Sequence, residues 1–360
     1  MTPIDMTTLQ PLSAPVWFIF FFKILGFVLH CLLMNLWLVA LPLALVLHWK
    51  GGQNARRWGS QLIRQMPIYI SFGINFGIVP LLFIQLIYPQ AFYPATILMA
   101  WHWFLIIFML IPAYYGAYLY AYGVKRDPEN VPAYRRAAGW ISAFLFLAIG
   151  FFFVNALTLT AQPEMWKEIW LNKSFAGAAL GIGSAVRDPV IWTRWGMMFG
   201  LAFGTTAVWT LIDRNFFQKA ATDEYFAWSA RFARICAFVG AVIFAVSAVA
   251  FTKTVSGVEL PAWVNAWLAG PVLVLLGALA LGKTRSGFLA LVALVLQVVS
   301  LAVFACVRQW IQTAQLNDFL PVDQFKVATD FGPMFLFLGT FVVGVLVLAW
   351  MITVAIKSVK

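Results

Sequence analysis

Three histidines occur in the 360 residues, and two of them, His30 and His102, fall inside apolar stretches long enough to cross a membrane. An ionisable side chain in hydrocarbon is costly unless it binds something, so each is a candidate for a functional site. Two neutral imidazoles at equal depth on neighbouring helices suit one iron, with a ring nitrogen offered to each face of a haem b. His30 stands 18 residues before the end of its stretch at His48, and His102 stands 21 before the end of its own at Gly123. At ~1.5 Å rise per residue the two depths differ by about 4–5 Å, which helix tilt absorbs. The spacing therefore predicts His30 and His102 as the metal ligands of one haem b, toward the outer leaflet. Taken singly, a core imidazole bonded to a carbonyl explains His30. A place in the aromatic belt between Trp101 and Trp103 explains His102.

The stretch between them carries Gly73-Ile-Asn-Phe-Gly77, a GxxxG spacing that clears one helix face. A porphyrin fits such a face, and so does a second helix, which is the commoner use. Asn75 lies between the glycines and has the chemistry to bond a propionate, a quinone carbonyl or, by default, a backbone carbonyl. Gly73, Gly77 and Asn75 join the histidines as expected cofactor-binding residues. His48, in His-Trp-Lys, reads as interfacial, with the alternative of a second-site ligand paired to a methionine. Lys23 lies seven residues before His30 and shares its face; it is expected to snorkel to the outer interface. The alternative for Lys23 is a charge partner for a haem propionate or an anionic lipid. Tyr114, Tyr115, Tyr118, Tyr120 and Tyr122 close a span, as a belt or as partners of a quinone head group. Asp213-Arg214 is expected at a membrane boundary. Asn35 and Asn155 read as helix-to-helix hydrogen-bonding residues.

The elements that must position these groups follow from composition. The chain is 63% hydrophobic and 10% charged, against about 25% charged in soluble domains. Runs of ~20 apolar residues, enough to span a bilayer, recur along it. The expected fold is an all-α polytopic transmembrane helical bundle of nine spans: 16–48, 66–88, 95–123, 137–160, 191–213, 232–252, 264–282, 287–307 and 333–356. The stretch 191–213 is the weakest. The first run follows an acidic, Lys-free leader and is too long for a signal-peptide core.

Sixteen of the 24 basic residues fall on one side, among them Arg56, Arg57, Lys125, Arg126, Arg135, Arg136, Lys219, Arg231, Lys283 and Lys360. By the positive-inside rule this predicts the N-terminus outside and the C-terminus cytoplasmic. The same distribution explains the net charge of +11 without nucleic acid. Residues 1–160 form a four-helix half holding every histidine. Residues 161–360 form a five-helix, Ala/Val/Gly-rich half with two longer outer loops, 161–190 and 308–332, suited to lying at the interface or docking a partner.

Cys31, Cys236 and Cys306 show no CxxC or CxxCH pattern, which argues against a disulfide framework, a c-type haem attachment or a cysteine-held cluster. No Walker A loop, GxSxG or HExxH is present. No histidine triad suits a haem–copper or zinc centre. Acidic residues are almost missing from the spans, which weighs against a proton pump or cation-coupled transporter. Pro80 and Pro112 are expected to kink spans 2 and 3 beside the site.

Residues Gly73 to Tyr88, continuing into Ile97-Leu-Met-Ala-Trp-His-Trp103, resemble uncharacterised bacterial multi-pass membrane proteins associated with c-type cytochromes in respiratory gene clusters. The pattern does not match cytochrome b of bc complexes, whose ligating helices each carry two histidines, nor the main subunit of cytochrome bd. The resemblance implies an inner-membrane subunit of an electron-transfer complex. The expectation is a chain that passes electrons between a periplasmic c-type cytochrome and the quinone pool through a bis-histidine haem b, alongside other membrane subunits in the lipid bilayer. It would thus be part of a quinone-linked oxidoreductase. The alternatives are a cofactor-free anchor or scaffold for soluble partners, and a transporter of an uncharged or lipid-like solute.

Overall fold

A computed structural model describes residues 4–218, 222–281 and 285–358. Lys219, Lys283 and Lys360 lie outside the described residues. Eleven helices are present among those described: α1 Val16–Lys50, α2 Gln53–Ile87, α3 Pro89–Leu98, α4 Ala100–Arg126, α5 Ala133–Ala161, α6 Trp166–Asn172, α7 Pro189–Phe217, α8 Asp223–Thr254, α9 Ala269–Leu281, α10 Gly287–Leu316 and α11 Gly332–Ser358. A 3-10 segment, Ala262–Leu268, leads into α9. Nine helical stretches among the described residues are long and apolar enough to span a membrane, and the protein is an all-α multi-pass bundle. The sheet is one short hairpin, Ser174–Phe175 with Ala178–Ala179.

Two ends can be told apart. The loop-rich end gathers the leader before α1, the helix α3, the 162–188 connection and the 317–331 connection. The leader runs along the last of these, with Leu12 N donating to Lys326 O and Ala328 N to Leu12 O, both at 2.8 Å. Leu12, Tyr88, Phe92, Trp166 and Leu320 bury one another there. The two longer loops thus close this end of the bundle, leaving Asp318, Asp323 and Asp330 exposed. The basic end holds the short turns at 51–52 and 127–132.

The weakest predicted span is the centre of the bundle. Helix α7 packs against α1, α5, α8, α9 and α10, and 67% of its most apolar window is buried, the highest share of the nine. Its hydropathy is low because Thr205, Thr206 and Thr210, all buried, satisfy their hydroxyls within the protein. A glycine pair lets α8 approach closely. A Cβ added at Gly200 would lie 2.8 Å from Gly240 O, and one at Gly240 would lie 2.7 Å from Gly200 O. This backbone-to-backbone seam is the close helix packing that small residues permit.

Two helices contain a wider turn. In α1, residues Leu36–Ala40 wind as a π-segment, with Leu41 N donating to Leu36 O. Pro42 follows, has no N–H and would press on the carbonyl four residues earlier; a wider turn relieves both conflicts. Helix α7 ends in a second π-segment, Asp213–Phe217.

Candidate functional site

His30 lines a partly open cavity of about 320 Å³ between α1, α2, α4, α5, α7 and α10. That is the lower end of the range for small-molecule and cofactor pockets, about 300–1,000 Å³. Its walls are apolar and aromatic, with Met34, Trp37, Leu110, Phe146, Trp195 and Trp267 among them. His30 Nδ1 lies 2.7 Å from Gly73 O. A carbonyl can only accept, so Nδ1 carries the proton and Nε2 keeps its lone pair. This second contact fixes the tautomer in the way that ligating histidines are commonly fixed.

The glycines serve that histidine. A Cβ at Gly77 would meet the His30 ring at 2.7 Å, and one at Gly73 would meet the Trp37 indole at 2.5 Å. The cleared face of α2 therefore receives two side chains of α1, correcting the expectation that it makes room for a porphyrin directly. Of the two, Gly77 lines the cavity. Asn75 is exposed on the opposite side and donates to Ser71 O at 2.8 Å in its own helix. It is thus placed away from the cavity, with the backbone-carbonyl bond that was its default.

His102 stands one turn beyond Ile106 and two beyond Leu110, both of which line the cavity. Its own ring does not line it; it meets Phe152 edge-to-face at 5.0 Å. Its buried Nδ1 has no hydrogen-bond partner among the described residues. His30 and His102 are therefore not brought onto one cavity in this conformation. Pro80 lines the cavity, and Pro112 does not.

Lys23 does not snorkel. It is 5% exposed, and its ammonium donates to Gln309 Oε1 at 2.6 Å and Gln312 Oε1 at 2.8 Å. It also sits 5.0 Å from the Tyr88 ring centre. An effective penalty of several kcal/mol attaches to a buried ion, which two neutral amides offset only in part. Arg194 and Arg308 line the same end of the cavity. Their place on α7 and α10, facing the cavity, depends on packing that no local sequence pattern encodes.

At the basic end His48 and Asp213 find their partners within the protein. His48 is buried, with Nδ1 2.7 Å from Tyr120 Oη and Nε2 2.9 Å from Pro128 O. Nε2 donates to the carbonyl and Nδ1 accepts from the phenol, so no lone pair remains for a metal. This corrects the second-ligand expectation. Asp213, in the closing turn of α7, is buried within the protein; it accepts from Tyr225 Oη at 2.8 Å and from Gln218 Nε2 at 3.1 Å. Arg57 donates to Gln218 Oε1 at 2.8 Å and lies over the Tyr225 ring. Asn35 bonds across helices as expected, donating to Thr205 Oγ1 at 2.8 Å. Asn155 instead holds the 162–188 connection, accepting from Ser184 Oγ and Ala185 N.

Among the described residues no group of three or more His, Cys, Asp or Glu is placed to hold a metal ion. Protein-family models and curated proteins give no match to the chain.

Proposed function

We propose that the protein is a membrane subunit of an electron-transfer assembly and that its cavity holds one haem b ligated by His30. The observation that carries this reading is the His30 ring, which lines an apolar cavity with Nδ1–H committed to Gly73 O and Nε2 left as a donor atom. When bound, such a haem supplies one-electron transfer. The residues would do the rest: His30 sets the iron's depth, Gly77 lets the ring stand close to α2, and the aromatic walls exclude water. His102 is the proposed second ligand. It must leave Phe152 and turn along the stripe it shares with Ile106 to reach the cavity.

By the positive-inside rule the loop-rich end is the outer, periplasmic face of a bacterial inner membrane. A haem on His30 would then stand closer to that face and exchange electrons with a periplasmic c-type cytochrome. Quinone is the proposed membrane-side partner.

A reduced-minus-oxidised visible spectrum of the detergent-purified protein, with a pyridine haemochrome assay, tests the reading. Sharp b-type bands at one haem per chain are expected. A colourless protein from haem-replete cells would overturn it.

A further inference from the structure

Three cations from three helices meet at the loop-rich end of the cavity: Lys23 of α1, Arg194 of α7 and Arg308 of α10. The ion pairs among the described residues, Arg56–Glu129 and Arg285–Asp223, involve none of them and lie elsewhere on exposed residues. Lys23 is held by two neutral glutamines. Beside it, the Tyr88 phenol is hydrogen-bonded to Gln309 Nε2 at 3.1 Å and to Thr313 Oγ1 at 2.9 Å, neutral groups again. Arg194 donates to Thr158 Oγ1 at 3.1 Å and Gln315 Oε1 at 3.2 Å, again neutral oxygens. Asp188 is close enough to feel Arg194, yet it caps α7 through Val190 N and forms no ion pair. Arg308 rests on the Phe27 ring at 4.5 Å and has no hydrogen bond to a described residue.

Apart from tryptophan indoles, the polar lining is Lys23, His30, Arg194, Arg308, Gln309 and Gln312, with no acid among them. Buried charges are normally paired or bound to a ligand. Here one end of an apolar cavity gathers two guanidiniums and an amine, none of them in an ion pair with a carboxylate of the described residues. Arginine's planar fork is suited to carboxylate and phosphate oxygens.

We propose that this cluster binds the anionic head, a carboxylate or phosphate, of an amphiphile whose apolar body fills the cavity below. The site stands whether that amphiphile is haem, with its propionates, or a membrane lipid. Two arms separate the sources: haemin against its dimethyl ester, and oleate against oleyl alcohol. Each pair differs in charge and little in apolar bulk. Binding to the purified full-length protein is read by quenching of the tryptophans that line the cavity, with native mass spectrometry for stoichiometry.

At least one anion should bind tenfold or more tightly than its uncharged analogue, and Arg308→Gln should abolish that preference while Arg308→Lys keeps most of it. A preference for haemin alone assigns the head to propionates. A preference for oleate with none for haemin keeps the site and counts against the haem reading. Preference for neither anion, or an Arg308→Gln protein with its preference intact, overturns the site. Should Arg308→Gln fail to purify as a single species, the wild-type comparison of acid with ester and Arg308→Lys decide the matter.

Discussion

His30 and His48 show how the partners of an imidazole decide what it can do. His30 spends one nitrogen on Gly73 O and keeps the other; His48 spends both. Replacing them should therefore have opposite consequences. On the proposed haem reading, His30→Ala is expected to remove the b-type bands. His102→Ala should convert a low-spin spectrum to a high-spin one; an unchanged spectrum would leave His30 as the only histidine ligand. His48→Ala should leave the spectrum as it is and lower the melting temperature, because Tyr120 Oη and Pro128 O lose a partner, a cost of about 1–3 kcal/mol. Helix rise orders residues along a helix but leaves their azimuth open, since in a bilayer the lipid-facing and core-facing sides of a helix are equally apolar and no periodicity marks the inner face. That is why His30 and Gly77 could be placed together, while the Phe152 contact of His102 stayed hidden.

At the scale of the element, two pairs of glycines have different uses in the fold. Gly73 and Gly77 admit side chains, whereas Gly200 and Gly240 admit backbone. A Gly240→Leu change should therefore be harsher than ordinary overpacking, which costs about 1–3 kcal/mol. Thermal unfolding in detergent is expected to shift downward or to lose its cooperative transition, with Gly339→Leu as a control where nothing lies within 4 Å. Thr205→Val tests the polar tie among α1, α7 and α10. Asn35 Nδ2 and Gln297 Nε2 both donate to Thr205 Oγ1, and interhelical bonds of this kind average ~0.6 kcal/mol with a ceiling near ~1.7. A measured loss within that range is expected; no loss would make the tie incidental. Span count and order were readable because bilayer thickness fixes helix length. Helix α7 read as weak because threonines lower its hydropathy, and in the fold Thr205, Thr206 and Thr210 are buried.

For the whole molecule, charge divides the two ends. Arg56, Arg57, Arg126 and Arg135 mark one, while the leader and both long connections cover the other. A cysteine introduced at Gly177, whose surroundings are open, should react with a membrane-impermeant maleimide in intact cells, and a C-terminal fluorescent reporter should be active in the cytoplasm. Labelling only after lysis would invert the orientation and move the cavity toward the opposite face. The division into halves at residue 160 was legible as composition, but the fold crosses it. Helix α1 packs against α7 and α10 as well as α2.

That crossing gives Lys23 a history in time. Its hydrogen-bond acceptor Gln309 lies 286 residues later in the chain. At a synthesis rate of ~5–20 residues per second, the interval between making the lysine and making its acceptor is roughly 15–60 s. Through that interval α1 resides in the membrane with an ammonium that has nowhere buried to go. Until α10 is made, the buried acceptors that hold Lys23 in the finished fold do not exist. The resting place of the oldest helix is thus completed by one of the youngest.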